Sequence, residues 1–273
     1  MTSSSSATAI ITGASSGLGA ACARTFAEAG WGVALVARRA DALEEVRQAA
    51  QNAGRGRAVA FPGDVTDPVA MRTCAARALA AFGRLDVLVC CAGIGFQGAL
   101  DETTPEVLQR LLEVNVVGTL NAARAVVPYF LAQTSGHLIV VSSIVGKRGI
   151  PGYGAYAASK FAQTGLAESL RAEFRGSGVA VTTVFPVSVR TAFRDAIARE
   201  FGIRVHGGGP AQSADEVARA ILAVTRTRAP ELYPYRRARL LALINALMPR
   251  LADRLAARFA RRRRPIDEVD HDR

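Results

Sequence analysis

Residues 8–30 most narrow what this chain can fold into. A short apolar strand, 9–12, runs directly into TGASSGLG (12–19) and then into ACARTFAEAG, whose apolar residues recur at helical spacing. Strand, glycine turn and helix in that order make a phosphate cradle. Glycines let the main chain approach a ligand closely, and a helix start presents free N–H groups at the positive end of its dipole. The spacing is Gly13, three residues, Gly17, one residue, Gly19, in place of the commoner G-x-G-x-x-G. Further apolar runs, VALVA (33–37), DVLVCCAG (86–93), HLIVVSS (137–143) and VAVTTVFP (179–186), alternate with helix-like stretches. That alternation predicts a doubly wound parallel β-sheet with helices on both faces, a single-domain α/β Rossmann fold. A chain of 273 residues suits one such domain, and no linker divides it.

The second informative stretch is SIVGKRGIPGYGAYAASK, 143–160. Ser143 closes the apolar run HLIVVSS. Tyr156 and Lys160 lie four residues apart in a segment that reads as helix, so a phenol and an ammonium share one face. An ammonium beside a phenol favours the phenolate, so the expectation is a Tyr156 pKa below its usual value of about 10, in a range useful for proton transfer. Tyr153 is a second phenol nearby, but no lysine follows it at four residues. Asn115 sits between two helical stretches, 103–115 and 116–133, and a polar amide in an apolar run needs hydrogen-bond partners.

The glycine turn with Asn115, Ser143, Tyr156 and Lys160, in this order and at these separations, resembles the short-chain dehydrogenase/reductase family over about residues 7–235. The resemblance implies an oxidoreductase that passes hydride between a nicotinamide and a carbonyl or secondary alcohol. In it Tyr156 is general acid and base, Lys160 also binds the nicotinamide ribose, Ser143 polarises the carbonyl, and Asn115 bends its helix and holds a relay water. Gly13, Ser15, Ser16, Gly17, Leu18 and Gly19 would line the pyrophosphate, Asp64 and Val65 the adenine, Ala92 and Gly93 the cofactor's middle, and Pro186, Val189 and Thr191 the nicotinamide. Asp64 reads equally well as a cap for the loop before the next helix. Arg38 and Arg39 follow VALVA where NAD-binding chains carry an acid, which points to NADP(H), with Arg38 the expected contact and Arg39 its neighbour. Two departures stand out. Cys90 and Cys91 replace the family's asparagines, implying a weakened structural tie, and Val187 replaces a glycine, so the turn over the nicotinamide must take another shape.

Residues 192–212 read as a short helix and a glycine-rich segment, a substrate lid hinged at Gly207 to Gly209, with Phe193, Ile197, Phe201 and Ile203 lining an apolar pocket. The expected substrate is therefore a hydrophobic carbonyl or alcohol. A 3-oxoacyl or other lipid-linked reductase is the alternative within the family, and an NADP(H)-sensing regulatory protein with vestigial activity is the alternative outside it. Cys22, Cys74, Cys90 and Cys91 show no metal spacing, so no metal is expected and a reducing, cytoplasmic setting is. The family's habit of pairing long helices implies a homodimer or homotetramer.

The net charge of +11 resides mainly at one end. Residues 229–264 hold ten arginines against Glu231 and Asp253, a net of +8. A division into a catalytic domain, 1–235, and a basic extension with an acidic tail, 236–273, follows. In the extension Leu240, Ile244, Leu247, Leu251, Leu255 and Phe259 recur at helical spacing beside Arg250, Arg254 and Arg258, and Pro249 should kink the helix. Such a helix fits an anionic membrane surface through 236–264, making the protein peripherally membrane-associated, and fits equally a helix packed on its own domain or a partner subunit. Lacking interleaved aromatics, it does not point to nucleic acid.

Overall fold

The computed structural model describes residues 6–54, 56–202 and 211–257. β1 (Thr8–Thr12), α1 (Gly17–Glu28), β2 (Gly32–Ala37), α2 (Ala40–Ala53), β3 (Ala58–Pro62), α3 (Pro68–Phe82) and β4 (Val87–Cys90) alternate as the apolar runs predict. α4 (Pro105–Leu112) and α5 (Gly118–Ala132) follow, joined by a π turn, Glu113–Val117, that contains Asn115. β5 (Gly136–Val141), α6 (Gly154–Glu173) and β6 (Val179–Val184) complete the central layer.

Seven parallel strands run in the order β3-β2-β1-β4-β5-β6 and then 231–232, here β9 (Glu231–Leu232), at the far edge. The runs of β1, β2, β4 and β5 are buried on both faces, which is why they read as continuous rather than alternating apolar stretches. Residues of α3, α5 and α6 build one core and residues of α1 and α2 the other. Between β1 and β4 the strand order reverses, the switch point at which doubly wound sheets bind ligands beyond the carboxyl ends of their strands.

Val187 has no positive φ, and the segment after β6 is extended as β7 (Ser188–Arg190) and paired with β8 (Ala211–Ser213). Between them stands α7 (Phe193–Phe201), whereas Ile203 and the expected hinge at Gly207 to Gly209 fall outside the described residues. α8 (Ala214–Thr227) starts on a capping box of Ser213 and Glu216 and packs against α1 in the second core. The extension forms two helices, α9 (Ala238–Leu247) and α10 (Pro249–Ala257), because Pro249 removes a donor and pulls Met248 out of helical geometry (φ −136°, ψ 64°). Arg258 and Phe259 lie outside the described residues.

The glycine turn tolerates little change. A Cβ on Gly13, held at φ 67°, would come 2.7 Å from Ala92 Cα, and one on Gly19 would drive into the Gly13 carbonyl. Gly19→Ala is expected to lower the unfolding free energy by about 1–3 kcal/mol in urea denaturation of the ligand-free protein. An unchanged midpoint would mean that the turn is not packed as described.

Candidate active site

The carboxyl ends of β4, β5 and β6 bring the separated motifs together. β5 ends at Val141, two residues short of Ser143, which instead caps a 3-10 turn by accepting from the Val145 N–H (3.3 Å). The Ile144 N–H donates to the Pro186 carbonyl (3.0 Å), tying this turn to the end of β6. Tyr156 and Lys160 lie on the first turns of α6, with Lys160 Nζ 5.7 Å from the Tyr156 ring centre.

Lys160 is buried, and its ammonium donates to the Val141 carbonyl (3.1 Å) and to Gln163 Oε1 (2.8 Å). Gln163 Nε2 in turn donates to the Asn115 carbonyl (2.7 Å) and Thr119 Oγ1 (2.8 Å). The Asn115 side chain accepts from Ile94 N–H (2.8 Å) and donates to Ile94 O and Ser159 Oγ (2.9 Å each). Asn115 does interrupt its helix, as a π turn. Its carbonyl accepts from both the Gln163 amide and the Thr119 hydroxyl (2.7 Å each). Sequence reasoning passed over Gln163 and Ser159, although the signal was present. Ser159, Lys160, Gln163 and Thr164 put four polar groups at i, i+1, i+4 and i+5 on one side of α6, and all four are buried.

The electrostatics depart from the sequence expectation. Burial pushes the Tyr156 phenol well above its ordinary value; the nearby Ser143 hydroxyl offsets part of this by hydrogen bonding, and the Tyr153 phenol adds to it. Lys160 is itself lowered to about 8, chiefly by burial, with Cys91 opposing. The reason is structural: Phe193 of α7 packs on the Tyr156 ring (centroids 6.3 Å), and the ammonium is turned to Val141 and Gln163 rather than to the phenol oxygen. α7 also sets Phe193 and Ile197 against Gly95, crosses Phe201 edge-on with Phe96 (5.3 Å) and pairs Glu200 with Arg110 (3.0 Å). Of the expected pocket residues, Phe193 thus lies against the half-buried Tyr156, while Ile197 and Phe201 pack on the loop after β4 at Gly95 and Phe96.

On the cofactor side, Ser16 caps α1 without a side-chain bond, so the first amides of the helix, from Gly17, Leu18 and Gly19 on, are open to an anion. A Cβ on Gly17 would meet the Thr191 side chain at 3.3 Å, which brings the end of β7 against the glycine turn. Gly93 faces Asn115 Oδ1 and Lys160 Nζ, where a Cβ would sit at 3.0 and 3.6 Å. Arg39, not Arg38, reaches this turn, with Nη2 3.3 Å from Ser15 Oγ and 3.4 Å from Ser15 O. Arg38 leans instead towards Asp64 (3.9 Å). Asp64 also accepts from Thr66 N–H (2.9 Å), while the helix cap proper is Asp67. Val65 is core: its side chain abuts Gly118 and its carbonyl accepts from Asn121 (3.0 Å). Val189 packs at the margin of the second core, and Pro186 is buried. Thr12 Oγ1 accepts from Ala92 N–H (3.2 Å), a tie across the crevice beside Cys90 and Cys91. No cluster able to hold a metal occurs among the described residues.

The Lys160 pKa has a measurable consequence. Between about 8 and the ordinary 10.5 the unfolded chain binds a proton that the folded chain does not, so stability conferred at this position rises with pH across that window. Measured against Lys160→Met in urea at a series of pH values, the wild type is expected to gain stability from pH 8 to 10.5. A pH-independent difference would show that the ammonium is not destabilised by burial.

Against known proteins, the short chain dehydrogenase family matches residues 7–201. Dehydrogenase/reductase SDR family member 7B of Rattus norvegicus is 35% identical over 270 residues, covering 94% of this chain and 82% of its own. The alcohol dehydrogenase of the archaeon Thermococcus sibiricus, solved with 5-hydroxy-NADP, superposes with a TM-score of 0.73 at 28% identity over 83% of this chain and 95% of its own. A short chain dehydrogenase of Mycobacterium paratuberculosis bound to NAD gives a TM-score of 0.73 at 27% identity, with the same coverage of both chains. Matched over most of its length by the family and almost end to end by a relative, this protein is an oxidoreductase of the short-chain dehydrogenase/reductase family.

Proposed function

We propose that this protein is an NADP(H)-dependent carbonyl reductase, or in reverse an alcohol dehydrogenase, with Tyr156 as general acid and base and a hydrophobic substrate. The observation that carries the reading is the convergence of Ser143, Tyr156 and Lys160 at the end of β5, beside a glycine turn with an uncapped helix start. The turn suits a dinucleotide because Gly13 and Gly19, where a Cβ would collide with neighbouring backbone, let the main chain fold tightly enough to present the free amides of α1. When bound, the nicotinamide supplies or accepts the hydride.

The chain's own residues then have these tasks. The uncapped amides of α1 receive the pyrophosphate. Tyr156, kept protonated by its dry surroundings, donates its proton to the carbonyl oxygen, and Ser143 donates a hydrogen bond to the same oxygen. Lys160, fixed by Val141 and Gln163, holds positive charge under the site below about pH 8. Phe193, which lies against the Tyr156 ring, and Ile197 and Phe201 on the same helix would offer a substrate an apolar wall that excludes water.

Two observations favour the phosphorylated dinucleotide: β2 ends without an acid, and Arg39 already lies on Ser15 where a ribose 2′-phosphate would come. The chemistry belongs to residues 1–235, with 236–273 as an appended extension. Exposed Val117 at the end of the π turn, Leu131 on α5 and Phe161 on α6 favour association of copies through these helices.

Tyr156→Phe is expected to lower kcat for NADPH-dependent ketone reduction about a hundredfold or more, with Tyr153→Phe close to wild type. The opposite ranking would refute the assignment. Arg39→Ala should raise the Kd for NADPH about tenfold or more in a fluorescence titration and leave NADH unchanged, with Arg38→Ala the weaker of the two. Equal loss of both cofactors would remove the case for NADP(H).

A further inference from the structure

The extension docks on the body by the side opposite to its leucines. In α9, Ala238 is fully buried, and Asn245, seven residues on, donates to the Lys147 carbonyl (3.0 Å) and accepts from Arg148 Nη1 (2.9 Å). At about 100° per residue, Leu240, Leu243 and Leu247 fall half a turn away from that face. They are 60, 50 and 79% exposed, and Met248 beyond them is 55% exposed. α10 repeats the arrangement: Ala252 and Ala256 are buried, Asp253 pairs with Arg148, and Arg250, Leu251 and Arg254 face away. An amphipathic helix stabilised only by its own domain turns its apolar stripe inward. Here two helices are fixed by alanines and polar bonds, and the leucines stand in water.

The charges around the stripe restrict what can cover it. Arg236, Arg237, Arg239, Arg250 and Arg254 make no ion pair among the described residues, and the local acid Asp253 is already held by Arg148. A second copy laid symmetrically on this face would set arginines against arginines. A surface that is apolar beneath and anionic above satisfies both features, because leucines enter the acyl boundary while guanidiniums pair with headgroup phosphates. No helix among the described residues is long and apolar enough to cross a membrane, so the contact is peripheral. We infer that α9 and α10 dock this protein on an anionic membrane surface, with Leu240, Leu243 and Leu247 inserted and the flanking arginines at the phosphates.

The test is flotation of the full chain with vesicles of phosphatidylcholine and phosphatidylglycerol in equal parts, and with phosphatidylcholine alone. Flotation is expected only with the anionic vesicles, and the triple variant Leu240→Gln, Leu243→Gln, Leu247→Gln is expected to reduce the floated fraction about tenfold or more. Leu247→Gln alone, at the most exposed of the three, should give a smaller loss in the same direction and guards against a triple variant that fails to fold. Wild type left at the bottom of the gradient, or variants that float as well as wild type, would overturn the inference. So would a wild type that is dimeric where the triple variant is monomeric, with neither binding vesicles, since a second copy would then cover the stripe. Flotation requires no turnover, so its failure and a failure of the reductase reading are separate results.

Discussion

A lysine ammonium buried at the centre of the molecule sets the terms for everything near it. An unpaired charge away from water costs far more than a domain can spare, so Lys160 must be met by oxygen atoms at fixed positions. Val141 provides one from the last residue of β5, and Gln163 provides the other from the next turn of α6. Gln163 can hold still only because its amide is taken by Asn115 O and Thr119 Oγ1. Asn115 can offer that carbonyl because the π turn moves it out of the regular helical ladder, a common use of such turns at functional sites. Its side chain in turn locks the loop after β4 through Ile94 and α6 through Ser159, which bonds back to the Tyr156 carbonyl (2.8 Å). One charge thus ties together β5, the loop after β4, the π turn and α6.

This network also explains why the phenol and the ammonium do not simply stabilise one another. With Nζ committed to Val141 and Gln163 and with Phe193 over the ring, desolvation dominates at both groups, raising Tyr156 and lowering Lys160. A neutral phenol is the form that can donate a proton to a carbonyl, so the raised Tyr156 suits the reductive direction of the proposed reaction, whereas the reverse direction asks for a phenolate and hence for more positive charge near it.

The sheet, its order of elements and the glycine turn were legible because each rests on local pattern: apolar runs of strand length, helical periodicity, and glycines between them. Ser143, Tyr156, Lys160 and Asn115 were legible for the same reason, as spaced residue types. What escaped was set by side-chain direction across elements. The sequence places Arg38 and Arg39 side by side, and only the fold turns one to Asp64 and the other to Ser15. Periodicity picks out a leucine row in the extension and rightly puts a break at Pro249, but it carries no sign for which face meets the body. Nor does the sequence say that the Val65 side chain packs inward against Gly118.

The loop between Ser143 and Tyr156 joins these levels. Lys147 pairs with Glu231 on β9 (2.6 Å) and lies over the Phe185 ring (4.8 Å), while Arg148 holds Asn245 and Asp253 of the extension. The segment that carries catalytic geometry from β5 to α6 is therefore stapled to the last strand and to both terminal helices. Isolated exposed ion pairs contribute little, but Glu231 is partly buried, its carboxyl is held below the usual carboxylate range by Lys147 and Tyr233 against the effect of burial, and its partners also pack on an aromatic face. Such a cluster resists displacement more than a solvated pair does. Any force on α9 and α10 is delivered to Arg148, five residues from Ser143 and eight from Tyr156, and so to the loop that sets the distance between these two hydroxyls.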